Sequence, residues 1–453
     1  MENMGKTKVG IVHLGFFAYP REYLAKRGQE CKNLLEENGF EVASAQMVIG
    51  TEEAERCVSE LKKVDLDLLI LNFLSWTNSP PVIHVAQNFR DVPILLWGIG
   101  GRTDPDTGSL VSPAAVAGIT AALSPLKMIH GKLFTVIDEP DQPTQIKEIK
   151  RIGNVSRAAT LLCKSRIGIV GYADMGLYTA MYEGLSLKEK IGVEVEEFSL
   201  LEITQKMDKI SAEKAQRLVD QMKGDWQFEV LTDEATLLET AKIYLALEEK
   251  IQERGYDGLS IKCVEGMSKI MGITPCIPLS MLADQVVSTC ECDVPGMVTE
   301  LILKYISQGK TPTFMEHYEI IGNRILVGVC GFAPFSWCYR PPHINRYGWG
   351  GFTGLANTST IKSEQILTVA RLSSFGNQYR LFVTRAKSYP PRLWEELGWP
   401  QPAPRFPSLE LEPECDIEHY LQEISAQHCL IIEGDYCQDL VDLAYLLDLE
   451  VIQ

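Results

Sequence analysis

Acidic residues and one histidine stand where a parallel sheet would present them to a ligand. The run Cys290-Glu291-Cys292-Asp293-Val294-Pro295-Gly296 sets two carboxylates two positions apart, directly after the apolar segment Val286–Thr289. Glu265 follows another apolar segment, Leu259–Cys263, in the same manner. Ligands of open α/β sheets bind at the carboxyl ends of the strands. Glu265 precedes Glu291 by about one strand–helix–strand unit. The spacing therefore predicts Glu265 beside Glu291 or Asp293 at neighbouring strand ends. His428 precedes the apolar run Cys429–Ile432, and His317 and His343 lie in polar, aromatic-rich stretches. Two carboxylates and a neutral imidazole suit a divalent, oxygen-seeking cation such as Mn²⁺ or Mg²⁺. Taken singly these residues have plainer roles: Asp293, for instance, suits the cap of a following helix.

A second group is the loop Phe335–Trp349. Trp337, Arg340, His343, Arg346 and Trp349 combine flat apolar faces with planar donors, the composition of a sugar site. Its two arginines and its histidine would also hold an anionic substituent such as a sulfonate, phosphate or carboxylate. Other chemistries lack their signatures. Gly171-Tyr172-Ala173-Asp174-Met175-Gly176 and Gly98–Gly101 follow apolar runs but match neither a dinucleotide fingerprint nor a P-loop, so no nucleotide cofactor is expected. No GxSxG nucleophile elbow occurs.

The elements that must carry these groups are readable. Val9–Leu14, Leu66–Leu74 and Pro93–Trp97 are apolar runs of buried parallel strands. Helical stretches lie between them, one spanning Glu22–Glu37 and stopped by Asn38-Gly39. The pattern restarts at Arg166, with strands at Ile167–Val170, Val193–Phe198 and Tyr256–Lys262. The acidic stretch Thr232–Arg254 reads as a solvated amphipathic helix. Beyond Lys310 the texture becomes β-rich, with strands at Ile361–Leu372 and Tyr379–Val383. Helix, strand and helix then follow from Asp416. The expected fold class is α/β: two tandem doubly wound parallel-sheet domains, 1–160 and 161–308, plus a C-terminal β-rich domain, 309–453, that brings His428.

Composition bounds the function. The 453 residues are 45% hydrophobic and 23% charged, as in ordinary globular chains. The net charge of −17 excludes a typical nucleic-acid or anionic-membrane binder, both of which need cationic surface. No apolar run approaches the roughly 18 residues of a membrane span, and the polar start Met1–Lys8 is unlike a secretion signal. The twelve cysteines are scattered without a CxxC pair, which points to reduced, buried thiols in a cytoplasmic protein.

Three segments in order resemble the L-fucose/L-arabinose isomerase family. They are Glu265 with the later Glu291-Cys292-Asp293; Pro312-Thr313-Phe314-Met315-Glu316-His317-Tyr318; and Ala426-Gln427-His428 with its following strand and helix. The resemblance implies a metal-dependent aldose–ketose isomerase with a free sugar as substrate. It implies Mn²⁺ or another divalent cation held by carboxylates and one histidine, and a homo-oligomer. Carried over, Glu265 matches the first catalytic carboxylate and a ligand, and His428 the histidine ligand; Asp293 matches the second carboxylate, ligand and base, with Glu291 as its alternative. Trp76 and Trp97 would meet a neighbouring subunit's site. Ile321 stands where the arabinose branch has a second histidine ligand, which favours a three-ligand centre. The aldose is left open: an L-sugar, a pentose, or an acid-substituted hexose such as sulfoquinovose. The chemistry explains the residue types. Moving a proton between C1 and C2 needs a Lewis acid on the two oxygens and carboxylates that take and return protons. One of those carboxylates needs a raised pKa. A sugar lyase or epimerase using the same chemistry, and a non-catalytic sugar-binding protein, are the rival readings.

Overall fold

A computed structural model describes residues 4–44, 47–228, 232–347, 352–376, 378–392 and 406–453. The chain divides into two compact units between Thr160 and Leu161.

In the first unit, β1 (Lys8–Leu14), β2 (Glu41–Ser44), β3 (Leu68–Phe73), β4 (Ile94–Gly98) and β5 (Leu133–Ile137) form a wholly parallel sheet in the order β2-β1-β3-β4-β5. Every residue of β3 and β4 is buried, as the continuous apolar runs demand. Alternation splits them between two cores: Val12, Leu14, Leu69 and Leu71 in one, Val9, Ile11, Leu68 and Ile70 in the other. The connecting helices are α1 (Arg21–Glu37), α2 (Thr51–Leu61), α3 (Ser79–Gln87) and α4 (Ala115–Ile129), and α5 (Ile146–Lys164) closes the unit.

The second unit opens with β6 (Arg166–Val170), α6 (Gly184–Lys190), β7 (Glu194–Phe198), α7 (Leu200–Met207), α8 (Ala212–Asp225), α9 (Glu234–Arg254) and β8 (Gly258–Ile261). A π-helical segment, Cys263–Met271, leads to α10 (Cys276–Leu282), β9 (Val287–Cys290) and α11 (Val294–Ile306). The strands form a parallel sheet in the order β9-β8-β6-β7. Helix α9 starts at the Asp233 cap, ends at Gly255 in the left-handed conformation, and packs against α7, α8 and α10. It buries five residues in succession, Ile243, Tyr244, Leu245, Ala246 and Leu247. Five consecutive positions circle the helix, so it is an inner layer and not the solvated one expected from its acidic composition.

The rest of this unit is a closed barrel. Its strands are β10 (Thr313–Ile321), β11 (Arg324–Gly328), β12 (Ile366–Phe375), β13 (Gln378–Tyr389), β14 (Ser408–Pro413) and β15 (His428–Glu433). Antiparallel pairing runs β12-β15-β10-β11-β14-β13, and β13 pairs back onto β12. Helices α12 (Ile417–Glu423) and α13 (Cys437–Leu447) and a short strand β16 (Glu450–Ile452), parallel to β13, complete it. The β-rich texture expected from composition is present and closes into a barrel. Strand β12 begins five residues after its expected start, and β13 runs six residues past its expected end. All twelve cysteines are free. Among the described residues no helix is long and apolar enough to cross a membrane.

Candidate metal centre

The site is built where β9 of the parallel sheet meets the barrel within the second unit. Strand β9 ends at Cys290, and the next two residues, Glu291 and Cys292, both take left-handed backbone conformations, at φ 62 and 53°. Such a conformation costs a non-glycine residue about 1–2 kcal/mol, so two in succession mark a turn held by its surroundings. The Asp174 N–H donates to the Glu291 carbonyl at 3.1 Å, and the Cys292 thiol donates to the Val170 carbonyl at 3.5 Å. Asp293 then caps α11, its carboxylate accepting from the Gly296 N–H at 2.9 Å. A Cβ at Gly296 would stand 2.6 Å from that carboxylate and 2.8 Å from Arg371 Nη1. The close approach therefore requires glycine.

The barrel contributes the other half. Glu316 on β10 is the antiparallel cross-strand partner of His428 on β15. One ligand atom each from Glu291, Glu316 and His428 lie within 4.8 Å of one another. His428 Nε2 is 3.3 Å from Glu291 Oε2, and His428 Nδ1 is 2.8 Å from Asp293 Oδ2. A carboxylate only accepts, so Nδ1 carries the hydrogen and Nε2 faces the cluster. The Phe314 ring packs on the imidazole with centroids 4.2 Å apart. Arg371, fully buried on β12, grips Asp293 with two bonds of 2.5 and 3.0 Å and donates to the Thr179 carbonyl at 2.8 Å.

The electrostatics follow from this packing. Burial pushes Glu316 up to about 7, with the Glu291 charge adding to it. Burial alone would lower His428, but the bonds and charges of Asp293 and Glu291 outweigh it and raise the imidazole to about 9. Burial would likewise raise Asp293, yet Arg371 and His428 hold it well below the usual carboxylate range. Two carboxylates and an imidazole within reach of one point suit a divalent cation with oxygen and nitrogen ligands.

The sequence-derived candidates fall into three groups. Glu291 and His428 come together in the cluster. Asp293 lies one bond further out, both oxygens engaged by Arg371 and one also by His428. Glu265 is not brought into the cluster: β8 ends at Ile261 and the π-helical segment carries Glu265 to Lys262 at 3.3 Å and Lys269 at 3.7 Å, with 41% of its side chain exposed. Hydrogen bonding from Lys262 lowers its pKa. The aromatic loop packs on the α8 side. Trp337 is buried and donates to the Thr311 carbonyl at 2.8 Å. Arg340 lines a recess with Met222, Trp226, Tyr244 and Phe335. The His343 N–H donates to Ser359 Oγ at 2.9 Å, and Arg346 is 3.9 Å from Asp233. Trp349 lies outside the described residues. His317 is not a ligand of the cluster; its Nδ1 donates to the Gln427 carbonyl and its Nε2 accepts from Tyr420. In the first unit, Trp97 Nε1 donates to Asp138 at 3.0 Å, and Trp76 stacks edge-on against Phe16.

Reading by spacing missed Glu316 as a ligand, and missed Arg371. Arg371 had a signal, a lone charge inside the apolar run Val369-Ala370-Arg371-Leu372, and charges are fully buried only when partnered. Glu316 had a weaker one, a carboxylate directly after the buried pair Phe314-Met315.

Parallel sheet and closed barrel thus converge on a carboxylate–histidine cluster that could hold a metal ion. No family model matches the chain. It is 22% identical over 426 residues to the sulfoquinovose isomerase of Priestia aryabhattai, covering 90% of each chain. It is 21% identical to the sulfoquinovose isomerase of Alkalicoccus urumqiensis, covering 84% of this chain and 88% of that one. With the L-arabinose isomerase of Halalkalibacterium halodurans it shares 23% over 67% of this chain and 63% of the other. These alignments support an L-fucose/L-arabinose isomerase-like sugar isomerase and indicate an aldose–ketose isomerase enzyme. Among solved structures, the periplasmic binding protein component of an arabinose transporter from Shewanella sp. ANA-3 aligns at 13% identity over 56% of this chain and 72% of that one. Its TM-score is 0.17, too low to bear on the fold.

Proposed function

We propose that the chain converts a free aldose to its ketose, with a divalent cation, Mn²⁺ foremost, held by Glu291, Glu316 and His428. The observation that carries this is the convergence of those three groups, two from the barrel and one from the sheet, within 4.8 Å. The ligand set differs from the one the resemblance implied: Glu316 stands in place of Glu265, and Glu291, the alternative, in place of Asp293. The reason is geometric. Glu265 is held by two lysines at a partly exposed site, and Asp293 is saturated by Arg371 and His428.

When bound, the cation would polarise the two sugar oxygens and so stabilise an enediolate. Glu316, a carboxylate at the same point, is the group suited to take and return the proton between carbons 1 and 2. His428 offers Nε2 because Asp293 holds its Nδ1 hydrogen, and Arg371 fixes Asp293 in turn. On this reading the 161–308 segment supplies Glu291 and Asp293, and the 309–453 segment supplies Glu316, Arg371 and His428.

The sulfoquinovose isomerases among the relatives support an acid-substituted hexose as the substrate. Arg340, His343 and Arg346, with Trp337 and Trp349, are the loop residues offered for such a substituent. A homo-oligomer in the cytoplasm completes the proposal. The test is ketose formation over a panel of L-fucose, L-arabinose, D-arabinose and sulfoquinovose, with Mn²⁺ and with EDTA. Metal-dependent conversion of one sugar supports the reading. Cleavage products would mean a lyase, and another aldose an epimerase. Binding without turnover would mean a sugar-binding protein.

A further inference from the structure

The side chain of Gln427 reaches two of the three proposed ligands, Glu291 and His428. Its amide nitrogen lies 3.1 Å from Glu291 Oε2 and 2.7 Å from His428 Nε2, and those two atoms are 3.3 Å apart. Three heavy atoms thus form a near-equilateral triangle. Donors on one face of an octahedron around a small divalent cation, each about 2.1 Å from the ion, stand about 3 Å from one another. The triangle has the size of such a face.

The amide can present either end. A half-turn about its last bond exchanges nitrogen for oxygen without changing the space the side chain fills. With nitrogen inward, the amide donates to Glu291. With oxygen inward, it would stand against that carboxylate oxygen, a repulsive arrangement that a cation between them turns into coordination. The backbone beneath is fixed. The His317 N–H and its Nδ1–H both donate to the Gln427 carbonyl, at 3.1 and 2.8 Å, and Tyr420 donates to His317 Nε2 at 2.9 Å. His317 therefore serves to hold Gln427 in place, which accounts for a buried histidine that the ligand set does not use.

From this geometry we infer that Gln427 is a fourth protein donor, its amide oxygen completing one face of the centre with Glu291 and His428. The inference rests on the metal-centre reading above and adds a ligand that spacing rules for His, Cys, Asp and Glu do not detect.

The test is calorimetric titration of the chelator-stripped full-length protein with Mn²⁺, for wild type, Gln427→Ala, Gln427→Glu and His428→Ala. Gln427→Ala should bind Mn²⁺ about 10–100-fold more weakly, with an unchanged melting temperature in EDTA. Gln427→Glu, whose oxygens need no half-turn, should bind as tightly as wild type or more so. Gln427→Ala binding Mn²⁺ as well as wild type would overturn the inference, because the amide would then be only a hydrogen-bonding neighbour. Gln427→Glu binding more weakly than wild type would overturn it independently. If wild type and His428→Ala bind Mn²⁺ alike, the metal-centre reading itself fails and the inference falls with it.

Discussion

Two buried histidines, one in each unit, are driven in opposite directions by what surrounds them. His13, near the end of β1, faces the Asn72 amide oxygen at 3.0 Å, and burial lowers its pKa. His428, at the start of β15, faces Asp293 and Glu291 and is raised to about 9. The sheets beside them have the same strand order, β2-β1-β3-β4 in one and β7-β6-β8-β9 in the other. At the carboxyl end of the first sheet, Asn72 Nδ2 donates to the Trp97 carbonyl, Trp97 donates to Asp138, and Thr144 and the Gln145 N–H close on the same carboxylate. That polar network is satisfied from within. At the second sheet's end, Glu291 is turned toward Glu316 and His428, and two carboxylates gather about one imidazole. Strand order fixes where polar groups emerge; the residues there decide between a closed network and a site that gains from a cation.

The sharpest break between the two should come from removing each histidine. His428→Ala should weaken Mn²⁺ binding by more than the about 10–100-fold that losing an outer-shell partner costs, and abolish turnover, because a proposed ligand itself is lost. His13→Ala should leave Mn²⁺ affinity within about twofold and lower stability by about 1–3 kcal/mol, the cost of unpairing a buried amide. Calorimetry and denaturant melts separate the two outcomes.

The pH dependence sharpens the same contrast. His428 is raised, so at neutral pH its Nε2 carries a proton that a cation must displace. Glu316, raised to about 7, holds a second proton below that value. Mn²⁺ affinity should rise about tenfold per pH unit between about 7 and about 9 and more steeply below about 7. It should level off above about 9. Titrations across that range, with proton release followed in two buffers, test it. A flat profile would mean that His428 is already neutral.

Arg371 supports the charged side alone. Arg371→Met should destabilise the protein by about 3–5 kcal/mol, since Asp293 would be left buried without its partner. The double variant Arg371→Met with Asp293→Asn should recover part of that loss. The smallest effect should be at Glu265. With its side chain outside the cluster, Glu265→Gln should change Mn²⁺ affinity by less than about threefold. A loss as large as that of His428→Ala would restore Glu265 to the ligand set.

Most of the parallel sheet framework is legible in sequence, because continuous apolar runs such as Leu68–Phe73 and Ile94–Gly98 have few other uses. The site is only half legible. Glu291, Asp293 and His428 emerge from spacing and resemblance, and the capping role considered for Asp293 is present in the structure. Glu316 reaches His428 through antiparallel pairing of strands far apart in the chain, a register that spacing along the chain does not encode. Glu265 was drawn toward the centre by assuming that a residue past a strand continues along it. Instead Asp174 binds the N–H groups of Val264 and Glu265 at 2.6 and 3.0 Å, and the chain turns at once into the π-helical segment.

The central claim is the position of the cation, and anomalous diffraction from crystals grown with Mn²⁺ addresses it most directly. The account predicts one strong peak in contact with Glu291, Glu316 and His428. A peak at Glu265 or Asp293, or an empty cluster at saturating Mn²⁺, would contradict it.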